Sequence, residues 1–386
     1  MQIKRKRLFL IVLGLSVSIV AMVYFLLRLR GHWGNVLGAF RRANYLCLVP
    51  GVGFIGILYW FRIRRWGLFL RDLGSVSKTA VASATCIGFM TNCVLPARLG
   101  ELVRPYVLYQ KTDVRFGHAV ATSFGLERVF DLMGLSLLMF ITWMVLPASL
   151  SQGEPAGPRP TPPVAGETRV DVSATAAGAE AENGAPATES PETIVRRIRS
   201  KGVYVAVAAA VAGVVLFCVA LFPGFFETVG ERFTRLLPEG WQEPARRTYR
   251  SATETLKFVK SPPGVGLALV YSLGLWLAQG VSTYALAWGL GLNIGIGGGF
   301  LVVIAVALAV ALPQGPAFIG PFHVAAMVTV SCFAVGQEGA AGAFAILMWL
   351  VNVVPITLVG VGFLWYEGLS LGKVTAASSQ LERQEL

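Results

Sequence analysis

The stretch from Thr91 to Asp131, TNCVLPARLGELVRPYVLYQKTDVRFGHAVATSFGLERVFD, sets two groups of charges between strongly apolar segments. Arg98, Glu101 and Arg104 form the first group, and Glu127, Arg128 and Asp131 the second. On a helix, Arg98–Glu101 and Glu101–Arg104 are three residues apart and Glu127–Asp131 four, so each pair shares a face. A charge near mid-bilayer costs about 2.5–3.5 kcal/mol on insertion scales, and six facing lipid would cost about 15–20 kcal/mol. They are therefore paired inside the protein, line a polar cavity, or sit at the interface. Arg98 and Arg104 suit a phosphate, because a guanidinium offers planar, multidentate hydrogen bonds. Glu101, Glu127 and Asp131 suit those arginines when the site is empty, or a cationic headgroup. The opposing assignment is an internal salt-bridge network that fixes helix packing and meets no substrate.

Those charges need a scaffold, and the composition says which kind. Of 386 residues, 55% are apolar and only 14% charged, where soluble domains run nearer a quarter charged. Several windows hold 18 or more nearly uncharged residues, the length that crosses about 30 Å of hydrocarbon. The expected fold is an all-α polytopic transmembrane bundle with about eight spans. The net charge of +12 gathers at helix ends, as in Lys4-Arg5-Lys6-Arg7, Arg62/Arg64/Arg65 and Arg246/Arg247/Arg250. That is the positive-inside pattern and a match for anionic headgroups, not for nucleic acid. Five scattered cysteines without CxxC spacing and three histidines without ligand spacing point to no metal and no disulfide. No GxxxxGK[ST] run occurs, so neither a nucleotide nor another cofactor is expected.

The chain divides into an N-terminal membrane half (1–146), a Pro/Ala/Glu-rich loop (147–193) expected to be disordered, a C-terminal membrane half (194–366) and a polar tail (367–386). Leu8–Leu27 is a first, uncleaved span with a cytoplasmic N-terminus. Arg28–Ala43, with Arg28, Arg30, Arg41 and Arg42, is either an interfacial amphipathic segment or part of a hairpin that does not fully cross. Asn44–Phe61 is the second span, and Arg62–Lys78 a basic cytoplasmic segment whose Trp66 and Phe69 sit at the interface. Arg62, Arg64 and Arg65 are placed there to meet headgroups, and could reach a lipid phosphate from below. Thr79–Leu95, Phe130–Leu146, Gly202–Phe222, Gly264–Leu290 and Phe344–Trp365 are further apolar segments, with a connector of short helices at 223–263. Gly291–Gly299 is expected to be a tight glycine-rich turn.

Two apolar segments are interrupted. Leu95-Pro96…Gly100 breaks the first half and Leu312-Pro313…Gly320 the second; Phe300–Leu312 and Val324–Val335 are each too short to cross alone. Paired interruptions in corresponding halves point to a transporter site at a repeat interface, where half-helix N-termini offer N–H groups to an anion. Asn92 is placed to hold the broken backbone. The breaks are of the re-entrant or the spanning kind, and the plainer alternative is a pair of proline kinks used for packing.

The run Asn92-x-x-Leu95-Pro96-x-Arg98-x-Gly100-Glu101-x-x-Arg104, with Glu127-Arg128-x-x-Asp131 and Pro313-x-x-Pro316-x-x-x-Gly320-x-Phe322, resembles the lysylphosphatidylglycerol synthase transmembrane family. The likeness covers the chain outside 147–193 and implies a flippase-like integral membrane protein. Many members carry a glutamate shortly after the last glycine, a place held here by His323. The two-domain members add a soluble aminoacyl-transferase domain, and only the 20 residues Glu367–Leu386 follow the last span here. The resemblance therefore implies the lipid-translocating part and not the synthase.

The expected function is a lipid flippase or transporter of a bacterial cytoplasmic membrane, handling a phospholipid or polyprenyl-type lipid with a phosphate-type headgroup. Its expected site comprises Asn92, Arg98, Glu101, Arg104, Glu127, Arg128, Asp131, Pro313, Gly320 and His323. Two other classes compete. A membrane-embedded transferase would use Glu127 or Asp131 as base, against which stand the absent nucleophile–base pair and metal motif, so the chain is not expected to be an enzyme. A non-catalytic partner of lipid-synthesis enzymes would tolerate changes at Arg98 and Glu101.

Overall fold

The computed structural model describes residues 2–96, 98–151, 262–311 and 314–385. The expected span 202–222 and nearly all of the connector and of the 147–193 loop lie outside them. Twelve α-helices are described: α1 (Gln2–Arg28), α2 (Trp33–Arg42), α3 (Leu48–Leu70), α4 (Lys78–Val94), α5 (Gly100–Tyr109), α6 (Phe116–Ala121), α7 (Glu127–Ser151), α8 (Pro262–Gly289), α9 (Gly295–Ala311), α10 (Pro321–Ser331), α11 (Glu338–Tyr366) and α12 (Leu371–Glu385). The chain is an all-α membrane bundle, with no strand among the described residues. Five stretches are long and apolar enough to cross: Ile11–Arg28, Tyr45–Leu70, Phe116–Val145, Pro262–Gly289 and Glu338–Tyr366.

Small residues set the helix–helix distances, as they do where lipid gives no hydrophobic drive between helices. α3 lies along α8, with Gly51 facing Leu286 and the Gly51 carbonyl accepting a 2.8 Å bond from Ser282 Oγ. α11 lies along α4, where Gly360 meets Met90 and the Cys86 carbonyl. α4 is the most enclosed of these elements, with ten of its 17 residues buried.

Both interrupted segments form helical hairpins. α5 turns back along α4, so that Gly88 lies against the Gly100 carbonyl and the Arg104 stem. α10 turns back along α9, bringing Phe333 onto Gly298. Ten and 11 residues reach about 15 Å, too short to cross alone, and each second limb needs the first for cover.

Several expectations change. α2 has ten residues, one buried apolar side chain (Val36) and Arg41 and Arg42 in its last turn, so of the two readings of Arg28–Ala43 the fold takes the short amphipathic helix. The second apolar helix does not stop at Phe61 but runs to Leu70, which carries Arg62, Arg64 and Arg65 into the bundle's length. Gly291–Gly299 is only half a turn. From Gly295 it is helix, and Gly297–Gly299 are buried there, Gly299 against the Gly280 carbonyl and Tyr284. Those glycines serve close packing instead of a reversal. The tail is also helical: Val374 and Ser378 of α12 are buried, and α12 packs on α5.

Candidate functional site

The first hairpin is closed at its tip by one side chain. Asn92 Oδ1 accepts a 2.8 Å bond from the Gly100 N–H, which caps α5 across the break. Only glycine fits at position 100, because a Cβ there would stand 1.9 Å from the Gly88 carbonyl oxygen. Arg98, in the break, has φ +53°, a left-handed conformation unusual for a side-chain-bearing residue. That backbone aims its guanidinium at the second hairpin, where Nη2 donates to the Val310 carbonyl.

Val310 lies in the last turn of α9, whose carbonyls have no partner within the helix and form the negative end of its dipole. The same carbonyl accepts a 2.5 Å bond from Gln314 Nε2. Beyond it the Gly315 N–H donates to Ser18 Oγ of α1 at 2.7 Å, and Trp349 Nε1 donates to the Ala317 carbonyl at 2.7 Å. Ala317 and Phe318 also have positive φ, at 53° and 60°. Gly320, with φ +98°, lies where a Cβ would come within 2.4 Å of the Ser18 carbonyl. The tips of the two hairpins therefore meet, with Arg98 as the link.

The six expected charges separate into two groups. The inner one is buried. Arg104 of α5 grips Glu127 of α7 with both terminal nitrogens, the longer contact being 3.1 Å, and its guanidinium lies 3.8 Å from the centre of the Trp66 ring. Glu127 follows a single π-helical stretch, Thr122–Leu126, which shifts the helix register just before the acid. Asp131, one turn on, meets Arg65 of α3 at 2.6 Å. Arg65 is fully buried, donates to Ser272 Oγ of α8 at 2.6 Å, and has Glu127 at 3.9 Å. Two cations face two anions.

The outer group is partly exposed. Glu101 accepts from Arg128 at 2.5 Å and stands 3.8 Å from Arg98. The Arg98 and Arg128 side chains are 33% and 49% exposed, and Glu101 18%. Here two cations share one anion. Arg62 stacks on the Phe89 ring at 4.6 Å, and among the described residues no carboxylate comes within 4 Å of it.

Asn92, Arg98, Glu101, Arg104, Glu127, Arg128 and Asp131 thus converge, and of the expected pairs Arg98–Glu101 forms while Glu101–Arg104 does not: Glu101 serves Arg128 and Arg98, and Arg104 goes to Glu127. Gly320 shapes the second tip. Pro313 lies outside the described residues. His323 does not join the charges; it is buried among the rings of Phe25, Phe322 and Trp349, at centroid distances of 5.2, 6.1 and 5.5 Å. The α10 turn that follows Gly320 directs it at α1 and α11. Arg65 is the member missed by the sequence, which placed it at the headgroups; the uninterrupted α3 puts it in the core. Gln314 was missed too, as a polar residue in a break. Among the described residues no three His, Cys, Asp or Glu side chains gather as a metal site would require.

The family model described as lysylphosphatidylglycerol synthase TM region matches residues 11–156 and 188–360. The chain belongs to that family. The matched segments contain both hairpin tips and every described member of the two charge groups. No curated protein matches the chain. Membership fits a membrane protein related to lipid biosynthesis, and the resemblance to this family stated from the sequence holds.

Proposed function

We propose that this chain is a lipid flippase or transporter of a bacterial cytoplasmic membrane, and that its substrate is a phospholipid or polyprenyl-type lipid with a phosphate-type headgroup. The reading rests on one observation above the others: where two hairpin tips meet, two partly exposed arginines share a single carboxylate. That outer group carries one uncompensated positive charge, and a phosphate supplies what is missing, with acceptor oxygens enough for both guanidinium groups. The four inner charges cancel and are already paired, with only Asp131 partly exposed, which suits a structural role. Its function is to hold α3, α5, α7 and α8 in register beneath the site. The sequence carries no GxxxxGK[ST] loop, so on this reading the movement is driven by a gradient, by proton coupling through one of the acids, or by the lipid imbalance itself. The protein is not proposed to be an enzyme.

The test is flipping of headgroup-labelled phospholipids in liposomes carrying the purified protein, with Arg98→Ala and Glu101→Gln variants that melt like the wild type. The wild type is expected to flip lipid and both variants to lose at least tenfold in rate. A wild type indistinguishable from protein-free liposomes would defeat the transporter reading and favour a non-catalytic partner of lipid-synthesis enzymes. Equal rates in all three would leave transport standing and remove Arg98 and Glu101 from it.

A further inference from the structure

At the base of the first hairpin, remote from its tip, the start of α4, the end of α5 and the end of α11 border an open cavity of about 560 Å³. This lies within the usual range for small-ligand sites, about 300–1,000 Å³. Ser77, Thr79, Lys111 and Glu367 form its polar side, Val359 and Phe363 its apolar side. None of these residues belongs to either charge group at the hairpin tips.

The polar side is a matched pair with one place free on each member. Lys111 Nζ donates to Glu367 Oε1 and, at 3.0 Å, to Ser83 Oγ. An ammonium has three N–H bonds, so one remains. The Glu367 side chain is only 8% exposed, yet its Oε2 has no hydrogen-bond partner. That oxygen is itself out of contact with solvent, and a turn about the soft terminal torsion of the carboxylate is what presents it to the cavity. Beside them Ser77 caps α4 by accepting from the Ala80 N–H at 3.1 Å, and the Ser77 and Thr79 hydroxyls lie 3.2 Å apart. The positive end of the α4 dipole therefore adds to the free Lys111 proton.

One open anion place beside one open cation place, on a pair with no net charge, selects a zwitterion and not an anion. We propose that this cavity is a second ligand site, for a compound bearing a primary ammonium next to a phosphate, as an aminophospholipid headgroup does. The ammonium meets Glu367, and the phosphate meets Lys111, Thr79 and the start of α4. The apolar side supports a lipid source: Val359 is 49% exposed on the outer face of α11, where acyl chains can follow the headgroup. Trp365 and Tyr366, 88% and 86% exposed at the same end, are residue types that anchor at the headgroup level. Because Lys111 follows α5 directly, occupancy also bears on the helix that carries Glu101 and Arg104.

The test uses the full chain in nanodiscs and in detergent, probed by native mass spectrometry and ligand-dependent melting. The probes are short-chain phosphatidylethanolamine, phosphatidylcholine, phosphatidylglycerol and free phosphoethanolamine. Phosphatidylethanolamine is expected to bind saturably and to raise the melting temperature. Phosphatidylcholine, whose quaternary ammonium has no N–H to donate, and phosphatidylglycerol, which has no ammonium, are expected to bind at least tenfold more weakly. Glu367→Gln is expected to lose about tenfold in affinity for phosphatidylethanolamine. Gly362→Leu keeps the test open if that variant folds poorly. Gly362 lines the cavity with open space beside its Cα, and leucine is the better helix former, so this variant stays folded while filling the site. Saturation by the lipid assigns the source to the bilayer, and saturation by phosphoethanolamine alone assigns it to the aqueous side. Binding that is unchanged in both variants, saturable and equal for all three lipids, or absent for every probe overturns the proposal. The same differences between probes are expected in the Arg98→Ala background, where the hairpin tips no longer compete for the phosphate, so failure here and failure of the transport reading are distinguishable.

Discussion

Removing Arg65 tests the division of charges into a structural and a functional group. Arg65 is fully buried and holds three partners: Asp131 at 2.6 Å, Ser272 at 2.6 Å and Glu127 at 3.9 Å. Arg65→Met keeps much of the side-chain volume and strands Asp131. Breaking one member of a buried ion pair costs about 3–5 kcal/mol, because the survivor keeps its desolvation without its partner. Asp131 is 15% exposed and takes up some water, which favours the lower end, about 3 kcal/mol. The double variant Arg65→Met/Asp131→Leu removes both charges. It should recover about 2 kcal/mol, keeping a deficit of about 1 kcal/mol for the unpartnered Ser272 hydroxyl. Denaturant unfolding of the four proteins of this cycle in mixed micelles gives the coupling directly. If the single variant falls within about 1 kcal/mol of wild type, or the double is no more stable than the single, the inner group does not hold the helices as argued.

Three further changes bear on the hairpin and its network. Gly100→Ala forces a Cβ to within 1.9 Å of the Gly88 carbonyl, so the hairpin must open; a loss of about 3 kcal/mol or more, or loss of folded yield in detergent, is expected. Asn92→Ala removes the cap on the Gly100 N–H and should cost about 1 kcal/mol in unfolding experiments, while Asn92→Asp, which keeps the acceptor, should cost less. Arg104→Lys retains the charge but loses the two-nitrogen grip on Glu127 and the planar contact with Trp66. A drop of about 1–2 kcal/mol, seen as a lower melting temperature, is expected.

Much of the hairpin chemistry was legible in the sequence because its signals are local. Pro96 and Gly100 announce a break, Asn92 lies within reach of it, and charges in an apolar context must find partners. Apart from the i,i+3 contact of Arg98 with Glu101, the partners themselves were not legible. Arg65 belongs to a run of basic residues that fits the headgroup pattern perfectly well, and its ligands are 66 and 207 residues away in sequence. Hydropathy ended the helix at Phe61 because Arg62, Arg64 and Arg65 lower the average, yet a helix continues wherever its polar side chains find satisfaction inside the bundle. The Gly297–Gly299 run misled for a related reason: the same residue serves a turn or a close helix contact, and only the neighbour, here Gly280 and Tyr284, decides. The resemblance places His323 in the site, where many members carry a glutamate after the last glycine. Three aromatic rings claim it instead.

The arrangement around Glu101 bears on how a site of this kind could release what it binds. Glu101 lies between Arg128 and Arg98, close to the first and at 3.8 Å from the second. A phosphate brings the same sign of charge with more acceptor oxygens, so exchange of Glu101 for the headgroup keeps the arginines paired throughout. On the proposed reading departure is then eased by the return of Glu101, and in neither step are the two arginines left without an anion, a state that costs much in a membrane. Replacing Glu101 by Gln removes the returning anion. On the proposed reading the arginines then hold a phosphate more tightly and let it go more slowly: half-saturation of flipping should shift to lower lipid concentration while the maximal rate falls. A role confined to packing predicts a different pair of results, a lower melting temperature with the half-saturation of the folded fraction unchanged, and that outcome would remove Glu101 from the transport cycle.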